Sequence, residues 1–126
     1  TAYVGRDEIK DMTTYVNKLN TQVNIPLMID STEAPVIQKS LELISGKAII
    51  NSINLEDGEE RMNHICPMAK EFGAALVALT IDEDGMAKTS DKKLQIAKRI
   101  YKLATEKYKI SGKDLIFDTL TFTLGS

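Results

Sequence analysis

Four short apolar runs in this chain each end on, or enclose, a polar side chain able to bind a ligand. PLMIDST leads to Asp30, Ser31 and Thr32, AIINSI carries Asn51 and Ser52, AALVALTID leads to Asp82 and Glu83, and DLIFD leads to Asp118. A carboxylate or amide set against apolar residues needs a partner, because desolvation without one is costly. Three acids and an amide, with no cation at these positions, leave two chemistries open. Carboxylates can hold a magnesium ion, as in receiver and phosphatase domains. They can also accept adjacent N–H donors of a heterocycle bidentately, while an amide donates or accepts as the ring requires. The plain alternative at each position is a helix cap or a turn. Glu83 and Asp84, just before Gly85, read as turn residues, whereas Asn51 sits inside a run that continues apolar after it.

The elements that must position these groups follow from periodicity. Ile9, Met12, Val16 and Leu19 recur at helical spacing from Asp7 onward. Ile25–Ile29 reads as a strand, with Pro26 at its start. Thr32 can cap the next helix and Pro35 suits its first turn. Ile37, Leu41 and Ile44 give that helix its inner face, and Gly46 stops it. AIINSI, residues 48–53, is the second strand. The loop NLEDGEE leads to a helix with Met62, Ile65, Ala69 and Phe72 inward, and Pro67 predicts a kink or break within it. AALVALTID, residues 74–82, is apolar throughout and reads as a strand buried on both faces. A helix from Lys92 to Lys109 would turn Leu94, Ala97, Tyr101, Ala104 and Tyr108 inward, and ISGKDLIFD, residues 110–118, supplies the fourth strand. The order α-β-α-β-α-β-α-β fits right-handed parallel βαβ units. In such folds ligands bind at the carboxyl ends of strands, so the four polar endings converge on one rim. ISGKAIIN at 44–51 echoes ISGKDLIFD, as a repeated unit would.

Composition narrows the function classes. The 126 residues carry a formal charge of −2, as expected of one domain spanning 1–126. No apolar run is long enough for a membrane span, and the polar start TAYVGRDEIK reads as no signal peptide. The chain opens on Thr1 rather than Met and reads as a piece of a longer protein. A single cysteine fits a reducing cytoplasm, and with one histidine a structural zinc site is not expected. Cys66, beside Pro67, reads as a small core residue, and His64 as solvent-facing. The basic residues between Lys92 and Lys109 read as a solvated outer face, so no nucleic acid is expected. Receiver domains carry paired acids after the first strand and a lysine after the last, and this chain has neither. Among heterocycles, a pterin offers N3–H and a 2-amino group side by side, which suits a carboxylate.

The stretches IPLMIDST, GKAIINSINLEDGEER, FGAALVALTIDEDGMAKT and DLIFDTLTFTLGS together resemble the pterin-binding domain of cobalamin-dependent methionine synthase, from about Arg6 to Ser126. MIDS, INSI and IFD in this order and spacing form a fairly specific set. The resemblance implies an α/β fold of parallel β/α units, a partial TIM barrel similar to dihydropteroate synthase, with about four strands and four helices here. It implies a methyltransferase of methionine biosynthesis that binds 5-methyltetrahydrofolate at the C-terminal rim. The N5 methyl passes to cob(I)alamin and then to homocysteine, with cobalamin and zinc held in other modules of the same polypeptide. By the same resemblance Asp30 and Asp118 hold the pterin, Asn51 lies near N5 and assists methyl departure, and Asp82 is a weaker member of the site. The methyltransferase of an iron–sulfur corrinoid protein is a near neighbour, and a non-catalytic α/β binding or assembly module is the alternative from another class.

A full barrel needs eight strands and roughly 250 residues, so this chain supplies about half. It has no D-x-H-x-x-G pattern for cobalamin and no cysteine set for zinc. By itself it is therefore expected not to turn over. Half a barrel leaves two strand edges unpaired and an inward face uncovered. The expectation is self-association, exchange of elements, or an open sheet.

Overall fold

The computed structural model describes residues 6–121. The first five residues, part of the start read as lacking a signal peptide, lie outside the described residues. So do residues 122–126, the end of the stretch DLIFDTLTFTLGS. The first helix, α1 (Glu8–Gln22), begins where the Asp7 carboxylate accepts the Lys10 N–H at 3.0 Å. Its inward stripe is narrower than the spacing predicts. Val16 is buried and Ile9 is exposed, because α1 packs on the helix after it and not across the sheet.

Four parallel strands form one open sheet: β1 (Met28–Asp30), β2 (Ile49–Ile53), β3 (Ala75–Leu79) and β6 (Leu115–Asp118), in that order. The short strands β4 (Ile81–Asp82) and β5 (Gly85–Met86) form a separate antiparallel hairpin. Between them α2 (Ala34–Leu43), α3 (Glu60–Phe72) and α4 (Ser90–Lys102) provide the crossovers. Among the described residues the strands do not close into a barrel. Successive strands are neighbours, which is the arrangement expected of repeated right-handed βαβ units.

One core lies between sheet and helices. Ile29, Ile50, Leu76 and Ala78 meet Ile37, Leu41, Met62, Ile65, Ile96 and Ile100 there, with Leu115 and Phe117 packed against them. Strand side chains alternate between faces. Met28, Asp30, Ile49, Asn51, Val77, Ile116 and Asp118 therefore share the opposite face. β3 is buried on both faces from Ala75 to Ala78, as its unbroken apolar run requires.

Several elements depart from the periodic reading. β1 starts at Met28, and Ile25 is 67% exposed before it. Thr32 does not cap α2; Glu33 occupies that position, with Pro35 in the first turn. α2 ends at Leu43, ahead of Gly46. α3 runs unbroken through Pro67, which is exposed while Met62, Ile65, Cys66 and Ala69 anchor the helix to the core on both sides of it. Phe72, expected inward, is exposed.

The fourth helix starts on the Thr89 cap and passes into a π turn at Leu103–Lys107. Its buried stripe is Ile96, Ile100 and Ala104, whereas Leu94 is 54% and Tyr101 48% exposed. Both stripes have helical spacing. The one bearing two isoleucines faces the sheet; of the other, Leu94 and Tyr101 are left outside, while Tyr108 packs partly buried against the core. The two echoed segments also meet, since Lys47 Nζ pairs with Asp114 Oδ1 at 2.6 Å.

Candidate functional site

Asp30 closes β1 and is the register partner of Asn51 on β2. Asn51 Nδ2 donates to Asp30 Oδ1 at 3.5 Å, the long limit for such a bond, with Asp30 exposed and Asn51 half-buried. The same register continues from Asn51 to Val77 and from Val77 to Ile116. One row across the sheet thus carries a carboxylate, an amide and two apolar side chains on one face. Just past Asn51 the β2–β3 register shifts. That shift lets Ser52 be accommodated while Ile53 returns to the core. Asp30 is not a helix cap.

Asp118 lies one step further along, paired in register with Leu79 and two strands away from Asn51. Its Oδ1 accepts the Leu120 N–H at 2.8 Å, closing a tight turn in which Leu120 has a φ of 51°. One carboxylate oxygen of Asp118 is therefore engaged locally.

Asp82 is placed differently from the other three. The chain leaves the sheet after Leu79, and Asp82 belongs to the β4–β5 hairpin. Lys92 Nζ pairs with its Oδ2 at 2.8 Å, and the Asp84 N–H donates to its Oδ1 at 3.1 Å. The hydrogen bond from Lys92 is the main reason its pKa lies below the usual carboxylate value. The expectation that no cation neutralises these acids thus fails at Asp82. Lys92 sits in the first turn of α4, and only the hairpin brings it back over Asp82. Glu83 and Asp84 are turn residues with ion-pair partners. Arg99 grips Glu83 by two bonds of 2.8 Å, and Lys92 reaches Asp84 at 3.1 Å.

The serine of MIDST has a structural task. Ser31 is buried; its hydroxyl donates to Glu8 Oε1 at 3.0 Å and accepts the Glu33 N–H at 3.1 Å. A residue that motif reading missed lies beneath it. Arg61, near the start of α3, donates from Nη1 to the Thr32 carbonyl (2.5 Å), from Nη2 to the Ser31 carbonyl (3.1 Å) and from Nε to the Ser52 carbonyl (3.1 Å). Burial lowers its pKa from the usual arginine value. The available signal was an arginine in an otherwise acidic helix start, INLEDGEER.

Cys66 is buried in the core and its thiol is pushed up to about 12 by desolvation, while His64 is exposed on the outer side of α3. A cleft of about 300 Å3 opens at the other end of the sheet, lined by residues including Val23, Pro26, Ile44 and Lys47. No acidic side chain lines it, so the polar strand ends, and not this cleft, define the candidate site. Among the described residues no helix is long and apolar enough to cross a membrane.

Comparison with known proteins gives the family to which the chain belongs. The family model described as "Pterin binding enzyme" matches residues 3–126. A methionine synthase of Mycobacterium tuberculosis is 43% identical over 127 residues, covering 98% of this chain and 11% of that protein. A methionine synthase of Mycobacterium leprae is 42% identical, covering 98% of this chain and 10% of that protein. The chain thus spans about a tenth of the length of these curated relatives. With its family match running through β1, β2 and β6, the chain belongs to the pterin binding enzyme family.

Proposed function

We propose that this chain is part of the 5-methyltetrahydrofolate-binding domain of a methionine synthase. The observation that carries the proposal is the row Asp30–Asn51–Val77–Ile116 on one sheet face. A pterin is flat, with hydrogen-bonding groups on its edge and apolar faces. Asp30 accepts N3–H and the 2-amino group, a bidentate, charge-assisted contact. Asn51 is on the adjacent strand, about 4.8 Å away, a distance commensurate with a bicyclic ring, so it reaches toward N5. The 3.5 Å bond between the two side chains is weak enough for a ligand to replace. Val77, one strand beyond Asn51, is the apolar neighbour of the site in the same row.

When the methyl group leaves N5, the nitrogen gains electron density and basicity. Asn51 is too weak an acid to supply a proton, so it hydrogen-bonds the protonated N5 or orients a water there. That contact strengthens in the transition state and so lowers the barrier. Asp118 is the second carboxylate of the pterin site, and Asp82 supports the rim through its hairpin. The methyl acceptor in this reading is cob(I)alamin, which supplies a strong cobalt nucleophile when bound. The one histidine is exposed on α3 and no D-x-H-x-x-G pattern is present. The cobalamin-binding module, like the zinc and homocysteine site, is therefore assigned to other parts of the polypeptide. The same reading puts the protein in the cytoplasm. Among the described residues the outer edges of β1 and β6 have no strand partner, which supports self-association of the 126-residue chain when it is separated from such parts.

Calorimetric titration of the intact natural polypeptide with 5-methyltetrahydrofolate tests the proposal. Asp30→Ala should weaken binding by about 1–3 kcal/mol, as for a lost hydrogen bond to a charged group. Unaltered affinity in that variant would remove Asp30 from the site.

A further inference from the structure

Arg61 ties together the two strand ends that carry Asp30 and Asn51. Its acceptors are the carbonyls of Ser31 and Thr32, directly after Asp30, and of Ser52, directly after Asn51. The β1–β2 ladder ends at the Asp30–Asn51 pair. Beyond that pair the strands share no ladder bond, and the guanidinium takes over the link. β1 has three residues, lies at the sheet edge and exposes both Met28 and Asp30. Short, exposed edge segments are where local opening costs least.

The arginine is not there for the helix. A cation in the first turn of α3 opposes the helix dipole. Among the described residues its charge also meets three carbonyl oxygens and no bonded carboxylate, and burial lowers its pKa, with Glu33 nearby acting in the opposite direction. What the position uses is the planar fork, which holds several acceptors at fixed angles as an ammonium cannot. From the other side, Glu8 of α1 holds the Ser31 hydroxyl, so the turn after β1 is fixed by two helices.

We propose that Arg61 is a positioning residue for the pterin site, setting the spacing of Asp30 and Asn51 by bridging the main chain after each. This rests on the folate reading for its ligand, though not for its geometry.

The experiment compares Arg61→Met and Arg61→Lys with the unmodified intact polypeptide. Two readouts are used: 5-methyltetrahydrofolate affinity, and hydrogen exchange of the amides around residues 31–33 and 52–54. Both variants should bind about tenfold more weakly, since small misplacements of binding groups are costly. Both should exchange faster at those two segments while the amides of β3 stay protected. In an Asn51→Ala background, Arg61→Met should weaken binding by much less than in the unmodified protein, because there is no longer an amide to position. Full binding restored by Arg61→Lys would overturn the proposal, since charge alone would then suffice. So would additive effects with Asn51→Ala, or unchanged exchange at the rim. If the unmodified protein bound no folate while Arg61→Met still loosened the rim, the folate reading would fail and the bridge would stand.

Discussion

Asp30 and Asn51 face each other as the last register pair of β1 and β2, a carboxylate accepting from an amide. The pairing depends on the amide being neutral. Asn51→Asp would set two carboxylates side by side, and like charges facing each other in register are destabilising. Repulsion raises the pKa of the folded pair, so the cost is present above that pKa and fades as acid protonates one partner. Urea unfolding at neutral and at acidic pH measures this. Equal stability of variant and wild type at both would mean that the two side chains do not meet.

The β4–β5 hairpin should report on acid. Glu83 is held down to about 2 from an ordinary 4.5, chiefly by its hydrogen bonds from Arg99. A lowered folded pKa adds stability above the unfolded value and loses it as pH falls. The contribution is therefore complete above pH 4.5 and disappears toward about pH 2. Both side chains are exposed, so the effect is small and salt-sensitive. Arg99→Met should flatten the pH dependence of stability in that window, and added salt should do the same to the wild type.

Gly73 ends α3 in the left-handed region, with a φ of 65°. A Cβ there would meet nothing within 4 Å, so the backbone conformation is the whole penalty. Gly73→Ala should destabilise by about 1 kcal/mol, and Gly73→Asn by less. A chemical-denaturation series checks the order, and an alanine variant of full stability would contradict the helix end described.

Cys66 should be inert in the folded protein. Its thiol is buried and raised from 9.0 to about 12, so little thiolate forms at neutral pH. Modification by a thiol reagent should follow the unfolding transition as denaturant is added. Rapid labelling under native conditions would show that α3 opens locally.

How much of this was legible beforehand differs from element to element. The strands around Asn51 and through Ala75–Ala78 could be read directly, because a buried parallel strand must be apolar and must stop where polarity returns. Asp30, Asn51 and Asp118 stood out for the same reason, and the structure places all three on one sheet face. The phase of α4 was not legible. The stripe through Leu94 and Tyr101 and the stripe through Ile96 and Ile100 have the same period, and only the face presented by β3 chooses between them. Asp82 is a second instance. In sequence it ends an apolar run like the other acids, yet a turn at Glu83 and Asp84 carries it into the hairpin and under Lys92.

The sequence by itself determined the alternation of strands and helices and the polar residues that end the strands, since both follow from periodicity and desolvation along the chain. Tertiary structure alone decided which of those residues share a row, which acid receives a lysine, and that Arg61 bridges the two strand ends. Those relations join residues far apart in the chain, and register and crossover packing, which no local pattern encodes, bring them together.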